Sequence, residues 1–182
     1  MRTAEADPPE HMNADEFRAK QAPLKEKYKA DPAAAVVTLR ATATKSQGIA
    51  CKVETGRALV EAGLHPATGG DGSHVCSGDM LLEALAGCAG VTLQAVATAM
   101  GIALDDFTVR VEGDLDFRGT LAVSKEAPVG LNKIRLNFDL KTRVAPEKIG
   151  KLIELTERYC VVLQSLRSAP AISVSQRIQG GG

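Results

Sequence analysis

From Ala84 to Leu104 the chain runs 21 residues without a charged side chain, and this stretch constrains the fold more than any other. It is long enough to cross a bilayer as a helix. Ala, Gly, Thr and Gln94 dominate it, however, and the strongly lipid-facing Leu, Ile and Phe are sparse. The run therefore reads as the core helix of a folded domain. Ser77 or Asp79 is suited to cap its start, and Gly101 marks its end. Leu81, Leu85, Cys88, Thr92, Ala95 and Ala99 share one stripe of that helix. Leu82, Ala86, Ala89, Leu93, Val96 and Met100 share the neighbouring one, so burial on most sides is expected.

The rest of the composition narrows the partners. Lys and Arg number 22 against 22 Asp and Glu, with no block of like charge, which leaves no electrostatic footprint for nucleic acid or an anionic membrane. With four Phe, two Tyr and no Trp, an aromatic platform for bases is excluded and the core must be aliphatic. A chain of 182 residues has room for one domain and an extra arm. Its start, "MRTAEADPPEHMNADEF", has acidic residues and paired prolines where a signal peptide needs a basic start and an apolar run. A cytoplasmic protein is expected, partnered by a small molecule or another protein chain.

Residues 1–32 read as an N-terminal arm and 33–182 as the domain proper. Within the arm, Phe17, Leu24 and Tyr28 are spaced for a helix that Pro23 must kink or split. Val and Thr, with turn signals at "SQG" and "ETG", predict a three-strand meander over 35–62. "HPATGGDGSH" lacks the lysine and spacing of a phosphate loop and reads as a plain loop. After the core helix, "FTVRVEGDLDF" and "KIRLNFDLKTR" alternate, so that Phe107, Val109, Val111, Ile134, Leu136, Phe138 and Leu140 face one way. Pro146 opens a second helix carrying Leu152, Thr156, Cys160 and Leu163 on an apolar stripe. A last strand, "AISVSQRI", is expected after Pro170. The layout is α+β, with helices gathered against antiparallel sheet.

Four cysteines, at 51, 76, 88 and 160, raise the question of chemistry. In a reducing compartment a thiol pair is more often catalytic, regulatory or metal-binding than structural. Free cysteine also packs as a small hydrophobe, so Cys88 and Cys160 are either core or chemistry. Cys51 falls on a strand face and Cys76 in a loop, from which it competes as a resolving thiol.

The string "GLHPATGG", followed by "CSGDMLLEALAGCAGVTLQAVATAMGI", resembles the OsmC/Ohr superfamily, whose members carry a cysteine on a Leu-Ala-rich central helix. "LTERYCVVLQSL" resembles its second cysteine motif, and the likeness extends over about residues 33–178. It implies an OsmC-like fold of antiparallel sheets around central helices, and an intertwined homodimer in which both chains line each site. It also implies a thiol-dependent peroxidase needing no cofactor or metal. On this resemblance Cys88 attacks an organic hydroperoxide and Cys160 resolves the sulfenic acid as a disulfide, which an external dithiol reduces. The family's arginine of the first hairpin is replaced by Gln47, and its glutamate ten residues before the first cysteine by Gly78. The proline that follows the second cysteine in the family is Val161, so nothing in the sequence interrupts that helix.

Helix geometry decides which nearby charges could substitute. Glu83 lies about 140° and Asp79 about 180° around the helix from Cys88, so neither reaches the sulfur. Arg40 and Arg57 lie in the first meander, and Arg57 is the better candidate because "ETGRAL" sets it beside a turn. Lowering a thiol pKa from ~8.5 by two units raises the thiolate fraction at pH 7 from ~3% to ~75%, but lost nucleophilicity leaves a net gain of only ~3-fold. Orientation of the O–O bond and a donor to the leaving oxygen must supply the rest. Two other classes stay open. His65, His74 and Cys76 could hold a metal with a fourth ligand elsewhere, and the same fold could bind a small apolar ligand while its cysteines stay inert.

Overall fold

The computed structural model describes residues 13–30, 42–45, 51–55, 58–122 and 124–178. In chain order the elements are α1 (Ala14–Ala30), β1 (Thr42–Lys45), β2 (Cys51–Thr55), β3 (Ala58–Gly63), β4 (Val75–Cys76), α2 (Ser77–Met100), β5 (Asp106–Leu115), α3 (Phe117–Thr120), β6 (Leu131–Lys141), α4 (Pro146–Tyr159) and α5 (Val161–Arg167). This is the expected α+β mixture. Antiparallel β1, β2 and β3 form the meander, and β4 adds a parallel edge to β3 from within the glycine-rich loop. That short strand has no sequence pattern long enough to announce it.

Asn13 caps α1: its side chain accepts the N–H groups of Asp15 and Glu16 at 3.0 and 2.9 Å, while Glu16 Oε2 accepts the Asn13 N–H at 3.1 Å. The helix continues through Pro23 as a single element, not two. The flanking Lys, Gln, Ala and Glu are good helix formers and offset what the proline forfeits. Along α2, neither Ser77 nor Asp79 is the cap. Both lie inside the helix, and Cys76 holds the cap position in extended backbone with no side-chain bond. The other end agrees with expectation. Gly101 turns left-handed at φ 64°, and the Ile102 N–H reaches the Ala97 carbonyl at 2.9 Å.

Burial of α2 differs from the sequence reading. Only Leu85, Ala89, Leu93 and Ala97 are buried, a single i, i+4 stripe, whereas Val91 is 72% exposed. Among the described residues, β5–β6, α4 and α5 pack on one side of this 24-residue helix, and α1 also touches it. The buried stripe splits into two clusters. Leu85 and Ala89 meet Cys160 and Leu163, while Leu93 and Ala97 meet Ile102 and Leu152. The β5–β6 pair covers both clusters with the alternating residues read from sequence. Phe107 pairs with Leu140, Val109 with Phe138 and Val111 with Leu136, and all six pack on the clusters.

The expected last strand does not form. Residues 169–178 adopt no regular element, and Ile172, Val174 and Ile178 are exposed. An alternating segment becomes a strand only where an edge accepts its hydrogen bonds, and among the described residues it joins none.

Candidate active site: the Cys88 and Cys160 thiols

Two elements deliver the two sulfurs. Cys88 lies on α2 beside the buried Leu85 and Ala89, half-buried at the edge of their stripe. Cys160 comes from a break that the sequence did not announce. The helix opened by Pro146 stops at Tyr159, Cys160 takes φ −71° and ψ 104°, and α5 begins at Val161. No proline or glycine causes this. Tertiary packing does: α4 belongs to the Leu93 cluster and α5 to the Leu85 cluster, and the chain must change direction between them. One turn earlier the buried Thr156 hydroxyl bonds back to the Leu152 carbonyl at 2.8 Å, an arrangement that bends helices. Cys160 is completely buried.

The thiols are side-chain neighbours, each affecting the other's ionisation, and both are free. Their environments push them apart. For Cys88, burial opposes ionisation, but the Val162 N–H, the Cys160 side chain, the Thr92 hydroxyl and the Val161 N–H outweigh it and hold the thiol below its ordinary value. The Thr92 hydroxyl has one hydrogen, and it is donated to the Cys88 carbonyl at 2.7 Å. It serves the sulfur only by giving up that bond, so the amides and Cys160 are the dependable donors. For Cys160, burial pushes the thiol up, the Leu163 N–H and, less, the Val162 N–H pull against it, and the neighbouring Cys88 adds to the rise, so the thiol stays above its ordinary value. The arrangement thus sets a partly accessible thiol held below its ordinary pKa against a buried neighbouring thiol pushed above its own.

Other residues singled out in the sequence fare differently. Arg57, Arg40 and Gln47 lie outside the described residues, and so does the side chain of Cys51. Cys76 stands before the first turn of α2, roughly 18 Å along the helix from Cys88 at 1.5 Å per residue, so it is no resolving partner. Glu83 is exposed and is not among the groups acting on Cys88. The histidines are engaged elsewhere. His74 bridges Ser73 and Glu61, at 2.7 and 3.3 Å, and His65 stacks on Phe117 and accepts the Ala67 N–H. They do not converge with Cys76, and among the described residues no three metal-ligating side chains cluster. Sequence reasoning missed the amides of Val161 and Val162, which carry no side-chain signature. Thr92 was legible, being four residues from Cys88 on one helix face.

Comparison with known proteins places this geometry. The OsmC-like protein family matches residues 70–175, which include both cysteines. The chain belongs to the OsmC-like family. No curated protein matches its sequence. Among solved structures, an OsmC-like protein from Mycoplasma pneumoniae superposes with a TM-score of 0.62 at 16% identity, covering 73% of this chain and 89% of that one. An organic hydroperoxide resistance protein from Elizabethkingia anophelis gives 0.60 at 19% identity, with 74% and 91% covered. An organic hydroperoxide resistance protein OsmC from Legionella pneumophila gives 0.58 at 18%, with 74% and 92% covered. At these identities the likeness is one of fold, and the OsmC-like fold is what this chain shares with them.

Proposed function

We propose that this OsmC-like protein is a cytoplasmic thiol-dependent peroxidase that reduces organic hydroperoxides. The observation that carries the reading is the contact between a half-buried thiol on α2 and a completely buried thiol at the helix break, with neighbouring donors easing the ionisation of the first and burial opposing that of the second. In the first step the Cys88 thiolate attacks the distal peroxide oxygen. The O–O bond breaks, the alcohol leaves with a proton, and Cys88 becomes a sulfenic acid. Cys160 then displaces hydroxide from that sulfur, forming the disulfide and releasing water. An external dithiol reduces the disulfide by two exchanges, restoring both thiols.

The apolar surroundings favour an organic peroxide over hydrogen peroxide. A groove of about 480 Å³ between β6, α4 and α5 shares Leu85 and Leu163 with the cysteine cluster, and Leu136, Phe138, Ile153 and Leu166 wall it together with the polar Asn132, Lys133, Glu157 and Arg167. The same groove supports a second reading, an OsmC-fold binding protein for a small apolar ligand whose cysteines do not turn over. We further propose a homodimer, because the exposed side of α2 around Val91 offers apolar surface to a second copy.

Mass analysis after one equivalent of an organic hydroperoxide separates the two functional readings. The peroxidase yields a linked Cys88–Cys160 peptide and loses two thiols. An unchanged thiol count overturns it and leaves the binding protein.

A further inference from the structure

With no proline or glycine at the break, side chains on either side of Cys160 brace it. In an unbroken helix the Glu157 carbonyl would accept the N–H four residues on, that of Val161. Here α4 ends at Tyr159, and the Glu157 carbonyl accepts the side-chain amide of Gln164, Nε2 to O at 2.7 Å. The Gln164 backbone N–H reaches the Cys160 carbonyl at 2.9 Å, so one residue of α5 grips both the end of α4 and the residue at the break. Three residues further along α5, Arg167 spans the same gap with an ion pair from Nη2 to Glu157 Oε2 at 2.6 Å. We propose that Gln164, with Arg167 behind it, is a positioning residue: it fixes the angle between α4 and α5 and so holds the Cys160 sulfur against Cys88, ready to close the disulfide. This rests on the reading of Cys160 as the resolving thiol.

The packing shows why the angle matters. Leu152 of α4 belongs to the Leu93 cluster and Leu163 of α5 to the Leu85 cluster, with the buried Cys160 between them, so a change of angle displaces its sulfur while each helix keeps its own contacts. Of the two grips, the ion pair is the weaker, because both its side chains are more than a third exposed and salt screens it. The amide bond carries no charge to screen, and it satisfies one of the carbonyls that the end of a helix leaves without an N–H. Glu157 and Arg167 also wall the groove, whereas Gln164 does not. A change at Gln164 therefore tests the brace and leaves the groove intact.

Gln164 is exposed, so its replacement leaves the core alone. Gln164→Met keeps the length and helix propensity and removes the donor, and Gln164→Glu puts an acceptor in its place. The readout is exchange with glutathione disulfide, which needs no peroxide. The Cys88 thiolate attacks one sulfur of that disulfide and releases one glutathione thiolate. The Cys160 thiolate then attacks the Cys88 sulfur of the mixed disulfide and releases the second, so two protein thiols are oxidised as one glutathione disulfide is reduced. In both variants the first step should keep the parent's rate, while closure should slow by about fivefold, the factor that one neutral hydrogen bond of ordinary strength carries. The Cys88–glutathione adduct should accumulate in the mass spectrum accordingly. A general loosening of the fold would move the first step as well, so two steps that change together would overturn the inference. Closure at the parent's rate or faster would overturn it too, as would a parent that never links Cys88 to Cys160. A parent that closes the disulfide with glutathione but consumes no organic hydroperoxide, with slowed closure in the variants, would remove the peroxidase proposal alone. Full peroxide turnover with unmoved closure in the variants would remove this inference alone.

Discussion

Cys88 and Cys160 are chemically identical side chains in contact, and what distinguishes them is which N–H groups and how much water each one meets. The sulfur on α2 keeps some exposure and gains donors, so its thiolate is favoured; the sulfur at the helix break loses water completely, so its thiol is favoured. The two directions fix an order of events with pH. As pH rises, Cys88 should be alkylated before Cys160, at a midpoint below that of free cysteine, and simultaneous modification of both would contradict the assigned environments. The same asymmetry separates the variants. Cys88→Ser should abolish hydroperoxide consumption, because no attacking sulfur is left. Cys160→Ser should still undergo the first oxidation and then stall, so a dimedone-type probe should label it strongly after a brief peroxide pulse and label Cys88→Ser far less. If both variants consumed peroxide like the parent, Cys88 would be a packing residue. That Cys88 and Cys160 belong together was legible in the sequence through the two cysteine motifs. The donors around them were not, because an amide N–H is common to every residue but proline and only the local backbone decides where it points.

At the scale of elements, pattern and outcome agree wherever one side of an element meets the core. The alternation in β5 and β6 and the Pro146 start of α4 are local signals that packing reinforces, and both appear as read. The disagreements share another cause. The break at Cys160, the uncapped start of α2 and the missing last strand each depend on what lies across the gap, and no local residue type encodes that. Leu85 shows the energetic weight of the meeting point, since it is fully buried and belongs to the cluster that joins α2 to α5. Leu85→Ala should cost about 2–5 kcal/mol in chemical denaturation. Because α5 leans on that cluster, the variant should also lose the low alkylation midpoint of Cys88 while remaining folded below the transition. A loss of stability under about 1 kcal/mol would mean that the cluster does not hold the two elements together.

At the scale of the molecule, the described residues leave apolar surface exposed. Val91 on α2 is 72% exposed, and Ile172, Val174 and Ile178 beyond α5 are 80, 92 and 83% exposed. With Gln176 between them, the last three alternate with Ser173, Ser175 and Arg177, so the segment has the period of a strand and one mostly apolar face, yet among the described residues it joins no edge. Leaving such a segment in water forgoes roughly 1.5–3 kcal/mol for each large aliphatic side chain that burial would have gained. A second copy of the chain can supply both the edge and the cover, and a two-fold arrangement would satisfy both copies at once. The expected outcome is a dimer in sedimentation velocity at micromolar concentration. Ile172→Lys with Val174→Lys should shift that equilibrium toward monomer, because a charged side chain cannot be buried unpaired at such a seam. The alkylation midpoint of Cys88 then distinguishes two arrangements: if it is unchanged in the monomer, the chain's own amides suffice to hold the thiolate, and if it rises, the partner contributes to the site. A parent chain that sediments as a stable monomer would overturn the shared-surface proposal and leave the exposed α2 face for another partner.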